Sequence, residues 1–464
     1  MECSAGVGYD AVVEREKCYE VVIIGFGPAG LAQAIALYEQ EAAPKDVLIL
    51  EKSTGFRWRG NEFPDGRAKM RTNMVHDLVT ARNPKSEFTF VNYLWTTDKL
   101  VGYTNLGLIN PPRRLFGMYL EWCAEKFEKM NWVQYGREAM SVEPNFPEAS
   151  STDRFRIRVR DIVSKNVDSV IARKVIVAPG VLKQIPAILR QPGLEDRVAH
   201  SSDLRLVEPK ILQRAEDRLK IAIIGGSNDE AAEVLQHCMS WERPAEIALF
   251  TDGDVFQQAD KNPFARNTLL ASETKTFETL SRGYGHVKPE STMQSDILSS
   301  LYLRNYAQDI RNPTKEQSEF TVAQCRKLVR ASRQDESGKL TLFFENVLDH
   351  TVSSHGPFDF VFAASGYSRG LHERLVAPLK EYFDDRKGGL SVNADYRVNL
   401  DRRFVDRRAG IWMIDGFEGG TSDAFSFMAL RADRILKSIM SADKSAENAA
   451  ENGLGREQVQ RPAL

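Results

Sequence analysis

Cysteine is scarce in this chain of 464 residues. The five present, Cys3, Cys18, Cys123, Cys238 and Cys325, lie far apart and never form a Cys-x-x-Cys pair. That spacing argues against a redox-active disulfide or a metal cluster and fits a reducing compartment. Net charge is almost absent too. The formal balance is −2, with Lys and Arg spread along the chain, which leaves no electrostatic case for nucleic acid or an anionic membrane. The opening MECSAGVGYD has neither the basic nor the apolar region of a signal peptide. No charged residue falls between Glu20 and Glu39, nearly the length of a membrane span, but Gly25-Phe26-Gly27-Pro28 breaks any helix there. A soluble cytoplasmic protein without a metal site is expected. The composition, 42% hydrophobic and 27% charged, is that of an ordinary globular chain long enough for two domains.

What is present is a pair of strand–glycine-turn–helix stretches. In the first, Val21–Leu31 (VVIIGFGPAGL), Gly25, Gly27 and Gly30 fit G-x-G-x-x-G, with Pro28 and Ala29 opening the helix. One glycine makes the turn, the next lets backbone approach a pyrophosphate, and the third lets helix and strand pack closely. A second strand, Asp46–Leu50, ends at Glu51, where a carboxylate accepts from ribose hydroxyls. The Gly-Pro-Ala-Gly-Leu wording resembles the FAD sites of two-dinucleotide flavoproteins.

The second stretch, Ile221–Val234 (IAIIGGSNDEAAEV), is bent out of pattern. The first glycine, Gly225, is kept and Gly226 follows it, the third position holds Ser227, or Asn228 if one residue is inserted, and Asp229 and Glu230 bring negative charge to the place of a pyrophosphate. Two readings stay open: a nicotinamide site with unusual wording, or a structural unit whose nucleotide site is weakened. Asp252, just past the strand Ile247–Phe250, favours the 2′-hydroxyl of NADH over NADPH. Lys261 and Arg266 can still supply positive charge from a loop.

The expected fold is α/β with two Rossmann-like dinucleotide-binding domains. Residues 1–205 and 345–440 form the FAD domain, residues 206–344 an inserted NAD(P) domain, and residues 441–464 a disordered tail. Leu340–Phe344 and Phe358–Ala363 read as strands returning to the first unit. Residues 255–335 read as helix with loops, Ile411–Ile414 as a strand and Ala424–Met440 as a closing helix.

Met70–Leu94 (MRTNMVHDLVTARNPKSEFTFVNYL) reads physically as a helix end and polar loop leading into an aromatic strand. Its wording resembles the flavin-dependent N-hydroxylating monooxygenases that act on the side-chain amine of ornithine or lysine. Asp77-Leu78-Val79-Thr80, Arg82-Asn83-Pro84 and Phe88–Leu94 carry the resemblance. Phe56-Arg57-Trp58, Pro112-Arg113, Tyr119–Ala124, Ala364–Tyr367 and Ser422-Asp423 extend it over about residues 20–435. The family implies reduction of FAD by NAD(P)H, activation of O2, and attack by a neutral primary amine to give a hydroxylamine and water. It also implies a homo-oligomer, often a tetramer, and siderophore or related secondary metabolism. Met70, Arg71 and Asn73 are carried over as catalytic positions. Lys52–Gly60 with Trp58, and Arg71, would line the flavin, Asp423-Ala424-Phe425 would close over it, and Arg113 would stand near the nicotinamide. Ser426 falls near a serine that contacts substrate.

This sequence departs from the family at the substrate and reductant sites. His76 stands where ornithine hydroxylases carry a lysine for the substrate carboxylate, though a histidine satisfied in a packed helix is the plainer reading. Arg71 replaces a Gln, Arg266 an Asn, and Asp252 an Arg used for the 2′-phosphate. A substrate other than plain ornithine and a weaker preference for NADPH follow. A Baeyer–Villiger or sulfur monooxygenase, and a flavin binder without turnover, remain alternatives.

Overall fold

The computed structural model describes residues 17–40, 46–58, 69–70, 73–145, 152–214, 218–226, 229–243, 245–258, 292–312, 319–334, 337–368, 370–384, 386, 389–414 and 424–451. The first βαβ unit consists of β1 (Cys18–Ile24), α1 (Pro28–Tyr38) and β2 (Val47–Glu51), the two strands parallel. Val21–Ile24 is buried throughout because β1 lies inside the sheet with both faces covered, which is why the run is apolar rather than alternating. Helices α2 (Phe90–Thr96), α3 (Leu100–Asn105) and α4 (Arg113–Lys129) precede β3 (Val133–Tyr135). Antiparallel β4 (Arg137–Pro144) and β5 (Phe155–Asp161) then lead into β6 (Val167–Val177). In β5 the arginines alternate with buried Phe155, Ile157 and Val159, so only one face meets the core. The sheet order is β3-β2-β1-β6-β5-β4.

The chain crosses to a second sheet through β7 (Leu182–Lys183). There follow β8 (Val198–His200), α5 (Leu204–Leu212), β9 (Leu219–Gly225), α6 (Asp229–Met239) and β10 (Ala245–Phe250). A short parallel pair, β11 (Gln257–Gln258) and β12 (Thr292–Met293), precedes α7 (Ser295–Arg311) and β13 (Phe320–Ala323). An antiparallel sheet of β14 (Arg326–Arg333), β15 (Leu340–Asn346) and β16 (Val352–Phe358) comes next. The chain then re-enters the second sheet as β17 (Phe360–Ala364), giving the all-parallel order β13-β10-β9-β17-β8. It leaves through β18 (Tyr367–Ser368), which pairs antiparallel with β7. After α8 (Leu371–Val376), β19 (Gly410–Met413) joins β6, and α9 (Ala424–Glu451) packs against α1.

The α/β expectation of two dinucleotide-type units holds, and four details are corrected. Phe360–Ala364 does not return to the first unit: Phe360 pairs with Ile221 and Val361 with Val198. A strand buried on both faces reads alike for either parallel sheet, so its own residues do not say which one it joins. Leu340–Asn346 belongs to the separate antiparallel sheet. The tail expected from Ser441 is helical through Glu451. Phe90–Thr96 is a helix rather than an aromatic strand, capped by Thr89, whose side chain accepts from the Asn92 N–H.

Candidate active site

The first turn divides labour among its glycines. Gly25 has φ +97°, and a Cβ there would lie 2.1 Å from the Ala178 carbonyl oxygen. A Cβ on Gly30 would lie 2.1 Å from the Gly25 oxygen, so this glycine is what lets α1 start against the strand end. Gly27 differs: its Cβ would meet nothing within 4 Å. It is the N-cap of α1 without a side-chain cap, and Pro28 follows at the start of the helix. Open space thus stands before uncapped helical N–H groups, which is the cradle a pyrophosphate fits. Glu51 closes the turn, accepting from the Phe26 N–H through Oε2 and the Ser53 N–H through Oε1, each at 2.8 Å.

An aromatic wall stands beside this cradle. Trp58 packs edge-on to Phe116 of α4 and to Phe425 of α9, with ring centroids 6.0 and 5.7 Å apart, and Phe116 and Phe425 lie 4.8 Å apart. The structure therefore brings Trp58 and Phe425 together although nearly the whole chain separates them. Lys52 is exposed. Met70 is buried, its N–H donating to the Pro111 carbonyl at 2.8 Å and its carbonyl accepting from the Asn110 side chain at 3.0 Å.

Asn73 begins a tight turn, its Oδ1 accepting from the Val75 N–H at 3.0 Å and its carbonyl from the His76 N–H at 3.1 Å. His76 is half-exposed in this turn and not in a packed helix. Next to it, buried Asp77 accepts from the N–H groups of Val79, Thr80 and Phe90 and from the Thr80 hydroxyl. That carboxylate ties the turn to the N-terminus of α2. Burial raises its pKa, and the four donors pull it back.

The second turn is less open than its charges imply. A Cβ on Gly225 would lie 2.6 Å from the Ala364 carbonyl oxygen, so this glycine lets β9 close on the end of β17. Gly226 follows it. Asp229 is buried and accepts from Gln294 twice, from its backbone N–H at 2.7 Å and from its side-chain amide at 3.2 Å. Glu230 accepts from the Ser201 hydroxyl. Both acids are turned into protein partners. Arg113, at the start of α4, reaches across to α6 and donates to Glu233 at 2.7 Å. Gln294 also approaches the Lys69 carbonyl at 3.5 Å, and Lys69 pairs with Asp296 at 3.3 Å. The nicotinamide-type unit is thereby bolted to the Lys69–Met70 segment. Asp252 is exposed beyond β10.

Arg71, Ser227, Asn228, Lys261, Arg266 and Asp423 lie outside the described residues, as do the side chains of Ala424 and Ser426 in the first turn of α9. Sequence reasoning missed Glu233, Gln294, His200 and Ser201. Only Glu233 left a signal, as a carboxylate inside the apolar face of AAEVL.

Two dinucleotide-type units, the first with an open phosphate cradle and the second inserted beside it, define a flavoprotein oxidoreductase of the two-dinucleotide class. Residues 17–369 match the L-lysine 6-monooxygenase/L-ornithine 5-monooxygenase family, and the chain belongs to that family. It is 33% identical over 449 residues to an L-ornithine N(5)-oxygenase of Arthrobotrys oligospora, covering 93% of this chain and 90% of the relative. It is 29% identical over 453 residues to an L-ornithine N(5)-monooxygenase of Emericella nidulans, covering 91% and 90%. Among solved structures, an ornithine hydroxylase from Pseudomonas aeruginosa superposes with a TM-score of 0.78 at 28% identity, covering 92% of this chain and 100% of that one. The protein is thus an FAD-dependent N-hydroxylating monooxygenase that uses NAD(P)H and O2, which sets it apart from Baeyer–Villiger and sulfur monooxygenases.

Proposed function

We propose that this protein hydroxylates the side-chain amine of an ornithine- or lysine-like amino acid or diamine other than plain ornithine. NADH serves it at least as well as NADPH, and the product feeds a siderophore or another hydroxamate-type metabolite. The relatives' activity toward ornithine supports the substrate class. The observation that carries the reading is Asp252, exposed just past the second strand of the second unit. In such a fold the adenosine ribose lies there, and a carboxylate accepts from a 2′-hydroxyl while repelling a 2′-phosphate. His76 supports the substrate half, since an imidazole is shorter than a lysine and a weaker cation at neutral pH.

FAD, when bound, takes hydride from the nicotinamide and supplies activated oxygen to the amine. The chain's own residues would do the rest. Gly27 and the start of α1 receive the pyrophosphate, Glu51 the ribose, and Trp58, Phe116 and Phe425 keep water from the flavin side. A reducing cytoplasm fits the free thiols of Cys18, Cys123, Cys238 and Cys325. No helix among the described residues is long and apolar enough to cross a membrane. We place the enzyme in solution as a homo-oligomer, a tetramer by family resemblance, which light scattering checks.

The test is oxidation of NADH and NADPH by the FAD-loaded enzyme against a panel of amino acids and diamines, with hydroxylamine detection. NADH should be consumed at least as efficiently as NADPH. A strong preference for NADPH sinks the cofactor half, and ordinary efficiency on ornithine sinks the substrate half.

A further inference from the structure

Two polar edges meet where the inserted unit faces the first one. Lys69 and Pro112 form an antiparallel bridge, so the Lys69–Met70 segment and the start of α4 make one edge. Opposite stands α6, whose Asp229 and Glu233 are four residues apart and share one face, about 6 Å from each other along the axis. Each acid makes one rung across the seam. Arg113 donates through Nη1 to Glu233 Oε2 at 2.7 Å, and the two side chains are only 17% and 7% exposed. Asp229 holds the Gln294 side-chain amide at 3.2 Å, and that amide approaches the Lys69 carbonyl at 3.5 Å. The Lys69–Asp296 pair closes the same seam at 3.3 Å, but it is open to water and adds little.

Arg113 also joins the seam to the flavin side. One turn further along α4, Phe116 packs against Trp58 and Phe425. A shift of the Arg113 end of α4 against α6 therefore moves the aromatic wall against the inserted unit. Taking two charges out of water offsets most of their attraction, so a pair of this kind adds little net stability; what it specifies is geometry. Hydride transfer depends on that geometry. The reacting atoms must approach to about 3–3.5 Å, and a misplacement of about 1 Å costs about a hundredfold in rate. We propose that the Arg113–Glu233 pair, with the Gln294 rung beside it, sets the spacing between the two units for hydride transfer to the flavin. Both are positioning residues for the reductive half of the reaction. The proposal rests on the inserted unit being the nicotinamide unit. The phosphate cradle and the aromatic wall belong to the first unit, so FAD retention and reoxidation by O2 do not depend on Glu233.

The test is stopped-flow bleaching of the FAD-loaded enzyme by NADH without oxygen, beside reoxidation of the dithionite-reduced enzyme by O2 without nicotinamide. Glu233→Gln keeps an acceptor for Arg113 but leaves the guanidinium without its counter-charge. Its limiting bleaching rate should fall by at least about tenfold. The half-saturating NADH concentration, the FAD affinity and the reoxidation rate should stay at the parental values. Arg113→Glu sets two carboxylates against each other and should be slower still. Combining Arg113→Glu with Glu233→Arg restores an ion pair across the seam and should recover most of the rate. A readout without flavin follows the same contact. Hydrogen exchange of the flavin-free protein at residues 113–120 and 229–236 should quicken in Glu233→Gln and return to the parental pace in the swapped pair. An unchanged bleaching rate or unchanged exchange in Glu233→Gln overturns the proposal. So does an effect confined to the half-saturating concentration, loss of FAD from Glu233→Gln, or a swapped pair no faster than Arg113→Glu. If neither NADH nor NADPH bleaches the flavin of the unmodified enzyme, the nicotinamide reading itself falls and this one with it.

Discussion

Replacing the three glycines of the first turn by alanine, one at a time, should separate folding from flavin binding. At Gly30 the new Cβ would sit 2.1 Å from the Gly25 oxygen. An ordinary carbon–oxygen contact is about 3.3 Å, so the helix start must withdraw by about 1 Å. Overpacking of that kind costs about 3 kcal/mol, or roughly 6–12 °C in Tm for a domain of this size. Gly25→Ala carries a similar clash with Ala178 and adds the cost of a left-handed φ. Gly27→Ala is the contrast. Its backbone, φ −81° and ψ −172°, suits any residue, and nothing stands within 4 Å of the added methyl. Alanine is the poorer N-cap by about 0.5 kcal/mol or slightly more, and it regains about that much by stiffening the unfolded chain. The apoprotein should therefore melt within about 2 °C of the parent. The methyl does occupy the space before the helical N–H groups, however. Losing one charge-assisted bond to phosphate costs about 2 kcal/mol, roughly a thirtyfold loss of FAD affinity. Circular dichroism melts of the flavin-free proteins and titration with FAD followed by fluorescence quenching report the two quantities separately. If Gly27→Ala binds FAD like the parent, or melts as early as Gly30→Ala, the assignment of roles within this turn is wrong.

Asp252→Arg should raise the ratio of NADPH to NADH efficiency by at least about tenfold, by exchanging a repelled 2′-phosphate for a paired one; steady-state oxidation of both cofactors reads this out. Asp77→Ala strips the acceptor from four donors around the turn and α2, and should cost about 3 kcal/mol. Limited proteolysis should then cut first between residues 73 and 90. Lys174 is 1% exposed, with its ammonium 2.7 Å from both Glu20 and Asp443. Lys174→Met leaves the two carboxylates facing each other and should lower Tm by about 6–12 °C. An unchanged melt would mean that the far end of α9 is not docked through this lysine.

Legibility of the fold followed the range of the interactions involved. The first unit could be read because its determinants are local: β-branched strands, three glycines at fixed spacing, and Pro28 where a helix tolerates it. The FVNYL segment was misread because its apolar run suits strand or helix equally, and the deciding bonds come from the Thr89 cap and from Asp77, a loop away. The sheet to which Phe360–Ala364 belongs is written in the partner strands and not in its own residues. At the candidate site, Trp58 and Phe425 were named through family wording, while their mutual contact was invisible from either residue. Asp229 and Glu230 stand in the first turn of α6, beside the second glycine turn. Their charges are managed by Gln294 and Ser201, groups distant in sequence that carry no motif.

The pairing of β7 with β18 has a consequence for how such a protein is assembled. Tyr367 lies against Lys183 and Ser368 against Leu182, so the inserted unit enters and leaves the flavin half through one two-stranded doorway. Every strand of the first sheet lies before or after the span from residue 182 to residue 368. Excising that span and closing the gap with a tight hairpin would leave the first sheet with all of its strands and its order unchanged. The inserted unit is in this sense a cassette with adjacent ends. If it is the reductant site that we propose, its recognition of reductant can be exchanged or retuned by recombination without re-threading the first sheet.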